Sequence, residues 1–362
     1  MSQIKFTAKS APFFIAVNKD VRQYFREKNI KSTGNFHLYF KTFILLSAMF
    51  GLYFTMLFAN LSTGYLFLNA AALGFAMALV GFNVMHDSAH GSFSQDKTFN
   101  NVMSHTMNLL GSTAFYWKQT HNVLHHTYTN IDGIDDDIAM SPVFRFCEQQ
   151  PQKPIHKFQH LYAPILYALA SFNLACYADF LKYFKGKIMD YELPKMDFKQ
   201  HFLFWITKIA LYFNQLALPI YFLGWMNGIL CFLICHFVLG FVLIIVFQLA
   251  HVVEIVNFTT VAEGNIQKEW AVHQIETTAD FATENSVLSW FLGGLNFQVE
   301  HHLFPQISHV HYPAVHQILK KKCAEFNIPF HEYTSFTDAV ISHIRHLKYL
   351  GNNPVTPALS TT

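Results

Sequence analysis

The histidines of this chain are grouped in a way that could place several imidazole rings around a metal. The sequence holds 21 histidines in 362 residues, and two of the groups contain a pair spaced four residues apart. Residues at that spacing lie on one face of a helix, so both rings of a pair can point to the same place. The grouped histidines are His86 and His90; His121, His125 and His126; His301 and His302, which follow Gln298; and the single His251. Neutral imidazole binds iron, zinc and copper, so these groups predict a transition-metal site without choosing the metal.

Four apolar stretches are long enough to cross a bilayer, for which about 20 residues of helix are needed. They are residues 42–59, 64–85, 202–223 and 228–250. None of them contains Asp or Glu, and Lys208 is the one basic residue within them. The connections at 60–63 and 224–227 are so short that the four helices should form two hairpins. Two weaker stretches, 105–117 and 161–184, are interpreted as helices at the membrane interface, although 161–184 could also be a true span.

The distribution of basic residues predicts the orientation of these spans. Of the 25 Lys and Arg residues, one lies in a span and none lies in the two short connections, so all the others fall on the opposite side. By the positive-inside rule, both termini and the long middle segment are expected in the cytoplasm. His86 and His90 begin where the second span ends, and His251 follows the fourth. All eight grouped imidazoles can therefore converge just outside the lipid, where they suit two metal ions with an open position on each.

The composition fits a protein that is largely surrounded by lipid. Charged residues make up 13% of the chain and hydrophobic residues 52%, whereas a soluble domain carries about 25% charge. The net charge of +2 does not imply a nucleic-acid partner, and five scattered cysteines suggest neither a disulfide framework nor a zinc knuckle. The N-terminus lacks the compact apolar region of a cleavable signal. We expect an all-α integral membrane protein with four transmembrane helices in two hairpins, plus cytoplasmic and interfacial helices that carry a histidine-rich di-metal site.

The chain is expected to form one domain, residues 35–350, between a cytoplasmic N-terminal segment, 1–34, and a polar C-terminal tail, 351–362. Several carboxylates near the histidine groups could bond ligand imidazoles from outside or could be ordinary helix caps: Asp87, Asp132, Asp135, Asp137 and Glu300. His236, inside the fourth span, is expected to bond a neighbouring helix, and His273 could support a ligand. The remaining histidines are interpreted as interfacial or surface residues: His37, His105, His156, His160, His201, His309, His311, His316, His331, His343 and His346.

Three ordered histidine motifs make the sequence similar to a known family. His86-Asp87-Ser88-Ala89-His90, His121-x-x-x-His125-His126 and Gln298-x-x-His301-His302 resemble the three histidine boxes of membrane fatty acid desaturases, over about residues 40–345. Glutamine at the first place of the third box resembles the front-end, delta-6/delta-5-like subgroup, as do Asn122, Thr129-Asn130 and Asp135-Asp136-Asp137-Ile138. Members of that subgroup insert a double bond between an existing one and the carboxyl end of the chain.

The resemblance implies an oxidoreductase with a di-iron centre that consumes O2 and two external electrons for each double bond. The box histidines His86, His90, His121, His125, His126, His301 and His302 would then be catalytic metal ligands. By the same analogy His251 matches a further ligand, and Gln298 occupies a position usually held by a ligand histidine. The substrate would be a fatty acyl chain, carried by CoA or a lipid, in an apolar tunnel between the hairpins. Trp117 is either a wall of that tunnel or, the interpretation we favour from sequence, an interfacial anchor.

The electron source is expected to be a separate protein such as ferredoxin or cytochrome b5. The chain has no His-Pro-Gly-Gly motif of a fused cytochrome b5, no G-x-G-x-x-G loop and no cysteine pattern for an iron–sulfur cluster. Such a donor would dock on the basic cytoplasmic face.

Other functions remain open at this point. The same family includes lipid hydroxylases, conjugases and ketolases. A histidine-rich metal transporter would need ligands within the membrane, whereas the four spans contain no acid. A membrane haem protein would need histidines inside facing spans, and only His236 lies in one. A soluble-type di-iron protein would need helical Glu-x-x-His motifs, which are absent.

Overall fold

The computed structural model describes residues 4–6, 11–139, 142–260 and 265–353, and helices dominate that part of the chain. The helices are α1 (Pro12–Lys28), α2 (Phe36–Phe58), α3 (Thr63–Val80), α4 (His86–His90), α5 (Lys97–Ser104), α6 (Ala114–Trp117), α7 (His126–Tyr128), α8 (Gln159–Ala168), α9 (Ala170–Asn173), α10 (Asp179–Lys185), α11 (Phe198–Tyr212), α12 (Leu218–Leu223), α13 (Trp225–His251), α14 (Trp270–Glu276), α15 (Ser286–Leu292), α16 (Gln298–Leu303), α17 (Tyr312–Glu325) and α18 (Phe336–Asn352). The all-α class predicted from the sequence is confirmed.

Short irregular elements connect these helices. Turns of π-helix at Gly81–Met85, Lys118–His125, Leu174–Ala178 and Phe213–Ala217 join successive helices, and 3-10 turns occur at His105–Leu109, Pro154–Phe158 and His309–His311. The strands are β1 (Ile131–Asp132), β2 (Lys187–Ile188), β3 (Tyr191–Glu192), β4 (Thr259–Thr260), β5 (Asp280–Phe281) and β6 (Glu332–Tyr333). β1 pairs with β4 and β5 with β6 in parallel, and β2 pairs with β3 antiparallel. Each ladder is two residues long, so the strands connect neighbouring loops and do not form an extended sheet.

Four helical runs are long and apolar enough to cross a membrane, which confirms the four predicted spans. They are Phe36–Phe58, Thr63–His90, Phe198–Leu223 and Trp225–His251. The first two pack together, as do the last two, across short turns where Asn60 and Gly224 have positive φ angles of 47° and 80°. The weaker stretch 161–184 lies in a bent pair, Pro154–Ala168 and Ala170–Lys185, whose halves meet at 56°. Among the described residues, a fifth span exists only if this pair is counted as one.

Small residues allow the central helices to approach closely. A Cβ on Gly74 of α3 would collide with the carbonyl oxygen of Cys235 in α13. On the other side of α13, a Cβ on Gly240 would lie 2.6 Å from the carbonyl oxygen of Ala168. Close backbone contact through glycine is a common way for membrane helices to pack, because lipid offers little hydrophobic drive for association. α13 therefore lies between α3 and α8 at the centre of the protein.

The one basic residue predicted within the spans, Lys208, is buried in an ion pair. Its Nζ lies 3.0 Å from Asp179 Oδ2 and donates to the carbonyl oxygen of Gly111 at 2.8 Å. Asp179 also accepts hydrogen bonds from Ser112 Oγ and the backbone N–H of Thr113, both at 2.8 Å. A buried pair is tolerated when further hydrogen bonds satisfy both charged groups, as they do here. The pair joins α11 to α10 and to the loop before α6.

A second, smaller core lies beside the histidine-bearing ends of the spans. Phe13, Val17 and Val21 of α1 pack there against Val315 and other residues of α17, together with side chains from α14 and α16. α18 ends at Asn352, and residues 354–362 of the predicted tail lie outside the described residues. The division into segments 1–34, 35–350 and 351–362 stays a prediction.

Candidate metal centre

The grouped histidines are brought together by two π-helical turns and two helix ends. The turn Gly81–Met85 precedes His86 and His90 in α4, and the turn Lys118–His125 carries the second group up to His126. His251 is the last residue of α13, while Gln298, His301 and His302 are half of the six-residue helix α16. A π-helical turn inserts one extra residue into a helix and is frequent at functional sites.

The ligand-type nitrogens form two clusters. In one, nitrogens of His86, His90, His121 and His301 all lie within 4.8 Å of one another, and in the other the same holds for His125, His251 and His302. His126 links the clusters: its Nε2 is 3.2 Å from His121 Nε2, and its ring stacks on His302 with centroids 4.5 Å apart. The structure thus gathers all eight imidazoles that the sequence singled out. Their role as metal ligands stays a prediction.

The short distances between ring nitrogens inside the clusters are better explained by a shared metal cation than by hydrogen bonds between the rings. His86 Nε2 lies 3.3 Å from His121 Nε2, and His125 Nε2 lies 3.2 Å from His302 Nε2. Other buried polar atoms have no hydrogen-bond partner among the described residues: His90 Nε2, His126 Nδ1 and His301 Nε2. Buried polar atoms are nearly always satisfied. Metal ions held by imidazole nitrogen would satisfy these, and the set is compatible with iron.

Burial keeps most of these rings neutral. It lowers the pKa of His121, His126, His301 and His302 well below the ordinary value, and the neighbouring imidazoles lower each pKa further. A neutral ring has a free lone pair, which is the form that binds a metal. His125 differs: burial would lower its pKa, but Asp135 and Asp137 outweigh burial and raise it.

Outer hydrogen bonds fix the orientation of several rings. His125 Nδ1 lies 3.1 Å from Asp135 Oδ2 and 3.3 Å from Asp137 Oδ2. His302 Nδ1 is 2.8 Å from Gln274 Oε1, and His301 Nδ1 is 3.1 Å from the hydroxyl of Tyr312. In each case Nδ1 is engaged and Nε2 points to the centre, the arrangement typical of metal-binding histidines.

The loop after the second group is held by Asn130, whose φ angle is 54°. Its side-chain amide donates to the carbonyl oxygen of His251 at 2.8 Å and to that of Thr277 at 3.1 Å. Its backbone N–H donates to Asp135 Oδ2 at 2.9 Å, and His273 Nε2 bonds the carbonyl oxygen of Thr129 at 2.9 Å. These contacts connect the second histidine group to the end of α13.

Of the five candidate outer carboxylates, Asp135 and Asp137 contact a clustered histidine directly. The other three bond elsewhere. Asp87 accepts from Ser308 Oγ at 2.7 Å and faces His309 Nδ1 at 3.0 Å. Glu300 bonds His316, and Asp132 bonds Gln150. Asp87 therefore ties the first histidine motif to the loop that follows the third, a connection that nothing in the local sequence indicates.

The interpretation of the other histidines as surface residues is wrong for six of them. His156, His309, His311, His316, His343 and His346 are buried. Each has a bonded partner that compensates burial of the ring; His343 Nδ1, for example, bonds the carbonyl oxygen of Val252 at 2.7 Å. His236 behaves as predicted: it bonds Ser171 and Gln215 on neighbouring helices, both at 2.7 Å.

A cavity of about 480 Å³ runs beside the clusters. Its wall contains His86, His121 and Gln298, and it continues between the spans along apolar residues that include Gly81, Phe82, Leu110, Leu243 and Phe247. Its outer part is lined by Lys182, Lys185 and Lys187. Trp117 is part of this wall and stacks on His121 with centroids 4.3 Å apart, so the interpretation of Trp117 as an interfacial anchor is wrong. The cavity is mostly apolar and its wall includes two of the clustered histidines, as a site for a hydrocarbon chain beside the clusters would require.

Comparison with known proteins agrees with this site. The family model for fatty acid desaturase matches residues 62–334. The chain is 35% identical to an sn-1 linoleoyl-lipid 6-desaturase of Synechocystis sp., over 96% of this chain and 98% of that protein. It is 34% identical to an acyl-lipid (8-3)-desaturase of Physcomitrium patens, over 95% of this chain and 72% of that protein. It is 30% identical to the delta(5) fatty acid desaturase A of Dictyostelium discoideum, over 97% of this chain and 77% of that protein.

Proposed function

The chain belongs to the fatty acid desaturase family, and from that premise we propose that it performs front-end desaturation of an acyl chain that already contains a double bond. Two neighbouring methylene groups on the carboxyl side of that bond would lose two hydrogens. One O2, two electrons and two protons would be consumed together with those hydrogens, and two waters would leave. The observation that carries the proposal is the convergence of eight imidazoles beside one mostly apolar cavity, whose wall includes His86 and His121.

The cofactor that suits this site is a pair of iron ions. His86, His90, His121 and His301 would hold one ion, and His125, His251 and His302 the other. His126 lies between the clusters and can complete either, and Gln298 lines the same cavity next to His251. When bound, iron would supply the activation of O2 that breaking an unactivated C–H bond requires, since no side-chain acid or base can break one.

The protein's own residues would bind and orient the chain. Trp117 and Phe247 pack against clustered histidines and give the cavity an aromatic wall beside the metal positions. The apolar lining beyond Gly81 and Leu243 would exclude water and hold the methyl end. Asp135 and Asp137 would keep His125 in one orientation through Nδ1. Fixed geometry of this kind decides which carbon atoms lie next to the metal.

The acyl carrier and the orientation are part of the proposal. The names of the Synechocystis and Physcomitrium relatives refer to acyl-lipids, which supports an acyl-lipid substrate over acyl-CoA for this chain. The lysine-lined outer part of the cavity would lie near the lipid headgroups. The asymmetry of Lys and Arg along the sequence supports a multi-pass protein whose termini and metal centre are cytoplasmic, with electrons supplied by a separate donor.

The test is expression in a host that lacks polyunsaturated lipids, with linoleate supplied and the fatty acids analysed by gas chromatography and mass spectrometry. We expect a new double bond on the carboxyl side of the existing pair. His37→Ala is the matched control, because His37 is exposed and has no contact with the clusters. A hydroxylated product, or a double bond on the methyl side, would contradict the front-end assignment.

A further inference from the structure

The outer face of α1 carries a stripe of exposed basic residues. Lys19, Arg22 and Arg26 follow one another at helical spacings of three and four, and all three side chains are exposed. Lys28 and Lys31 continue the positive charge just beyond, where the chain approaches α2. We call these five residues the α1 stripe.

The acidic residues of α1 do not cancel this charge. Asp20 is already paired with Lys322 of α17, with Nζ 2.9 Å from Oδ2. Glu27 accepts a hydrogen bond from the side chain of Gln23 at 2.6 Å. Glu27 is the one exposed acidic residue beside the five basic residues of this segment. The stripe is therefore a positively charged surface on a helix that is fully described.

The inner face of the same helix packs next to the candidate metal centre. Val17 and Val21 share a core with Tyr312, which is itself buried. The hydroxyl of Tyr312 lies 3.1 Å from Nδ1 of His301, which belongs to the cluster with His86, His90 and His121. An α-helix with its side chains is about 10 Å across, so one helix thickness separates the stripe from a residue that touches a candidate ligand.

Other exposed basic groups are placed differently. Arg345 and Lys348 lie on α18, whose buried face packs mainly against α8 and the turn Pro154–Phe158. Lys185 and Lys187 line the outer part of the cavity, where the acyl chain would enter. The α1 stripe alone among these combines several positive charges with direct packing of its helix against α17, whose Tyr312 contacts His301.

We propose that the α1 stripe is the docking surface for an acidic one-electron carrier protein. This inference rests on the proposed function, which needs two electrons for each double bond. Two carrier molecules would dock in turn, and each would be oxidised by one electron and leave. Those two electrons, with two of the four electrons of the broken C–H bonds, would complete the reduction of O2 to two waters, while the other two form the new double bond. A basic surface attracts an acidic partner and raises its association rate at low ionic strength.

An anionic lipid surface could also attract the stripe, since basic helices bind acidic headgroups. The carrier is favoured because the opposite face of α1 packs in one core with Tyr312, which contacts His301, a location that membrane binding does not require. The experiment below separates the two partners.

The test compares two charge reversals of equal size in the purified, iron-loaded protein. One variant is Arg22→Glu with Arg26→Glu, and its matched control is Arg345→Glu with Lys348→Glu, since both pairs are exposed on helices outside the spans. The probe is a reduced, acidic plant-type ferredoxin. Binding is measured against salt concentration, and oxidation of the ferredoxin is followed by stopped-flow absorbance. Dithionite, a small reductant that needs no docking surface, gives the rate of reduction without a partner.

We expect the α1 variant to lose about tenfold or more in association rate and most of its salt dependence, while the α18 control and the dithionite rates stay at the wild-type level. Equal effects of the two variants on ferredoxin would overturn the inference. So would an α1 variant that binds ferredoxin normally but loses affinity for phosphatidylglycerol vesicles, which would assign the stripe to the membrane. If the wild type desaturates no acyl chain with either reductant, the proposed function fails; if it does so and the α1 variant matches it with ferredoxin, only the docking surface is wrong.

Discussion

Two buried clusters lie on either side of α16, and by residue type either could hold a metal. The first is the set of eight imidazoles, with Asp135 and Asp137 bonded to His125. The second consists of Asp280, Glu300 and His316, whose ligand-type atoms also lie within 4.8 Å of one another. Glu300 and His301 are neighbours in the chain but belong to different clusters, because successive residues of a helix point about 100° apart.

The clusters differ in how charge and hydrogen bonds are satisfied. His316 Nδ1 lies 3.0 Å from Glu300 Oε1 and 3.1 Å from Asp280 Oδ2, so the ring can be the cation between two carboxylates. Burial would lower the pKa of His316, but the two carboxylates outweigh burial and raise it to about 10. In the eight-imidazole set, several ring nitrogens have no partner among the described residues. Glu300 Oε2 of the second cluster also lacks a hydrogen-bond partner among the described residues. Residue type and burial are therefore a weak sign of a metal site, and several neutral ring nitrogens directed at one another are a stronger one.

The largest effect is expected for His301→Ala, which removes a nitrogen from the eight-imidazole set. We expect no detectable desaturated product and a fall from two iron ions per chain to one or none, measured by gas chromatography and by elemental analysis of purified protein. His125→Ala, which removes another nitrogen from the same eight-imidazole set, should behave in the same way. If either variant kept both iron ions and its activity, the eight-imidazole set would not differ from the Asp280, Glu300 and His316 cluster as a metal site.

His316→Ala should act on stability and not on metal content. It leaves two buried carboxylates without their cation, and breaking a buried ion pair in this way costs about 3–5 kcal/mol. Thermal unfolding in detergent, followed by circular dichroism, should show a clear drop in the midpoint. Iron should stay at two ions per chain in the protein that folds. Loss of one equivalent of metal would mean that the second cluster is also a metal site.

Asp135→Asn should weaken the centre without abolishing it. The change keeps the shape but removes the charge that orients His125, and loss of such an outer partner typically costs about 10–100-fold in metal affinity or activity. Chelator competition and product yield measure the two quantities. Asp132→Asn is the control, since Asp132 bonds Gln150 and no clustered histidine. Similar losses in both variants would contradict a specific role for Asp135.

The smallest effect is a pH dependence of stability that belongs to the second cluster. Because the folded-state pKa of His316 is raised to about 10, its ionic contribution is complete below the unfolded pKa of about 6.5. It should be lost gradually as the pH rises toward 10. The midpoint of thermal unfolding should therefore decrease more steeply between pH 7 and pH 10 in the wild type than in His316→Gln. Parallel curves for the two proteins would show that the ring is neutral in the folded protein.

The spans and the histidine motifs could be predicted because they depend on local composition and spacing. The first span begins at Phe36, six residues before the predicted start, since a helix keeps its backbone hydrogen bonds beyond the apolar stretch and includes polar residues such as His37 and Lys41. The partners of Asp87 and Glu300 could not be predicted, because each bonds a residue distant in the chain. Burial of His343 was missed for the same reason: the carbonyl oxygen of Val252 that satisfies it lies 91 residues away. Trp117 was misassigned because an aromatic residue near a predicted membrane boundary has the same sequence signature at the interface and in a cavity wall.

The π-helical turns before His86 and within the second histidine group restrict where residues can be inserted into or deleted from this chain. Each turn holds one residue more than an α-helix would, and that residue sets the rotation of everything after it. Deleting a single residue from Gly81–Met85 would turn His86 and His90 by about 100° around the helix axis. Insertions and deletions that loops accept should therefore be excluded from these two short segments during evolution, even where the exact side chains are free to vary.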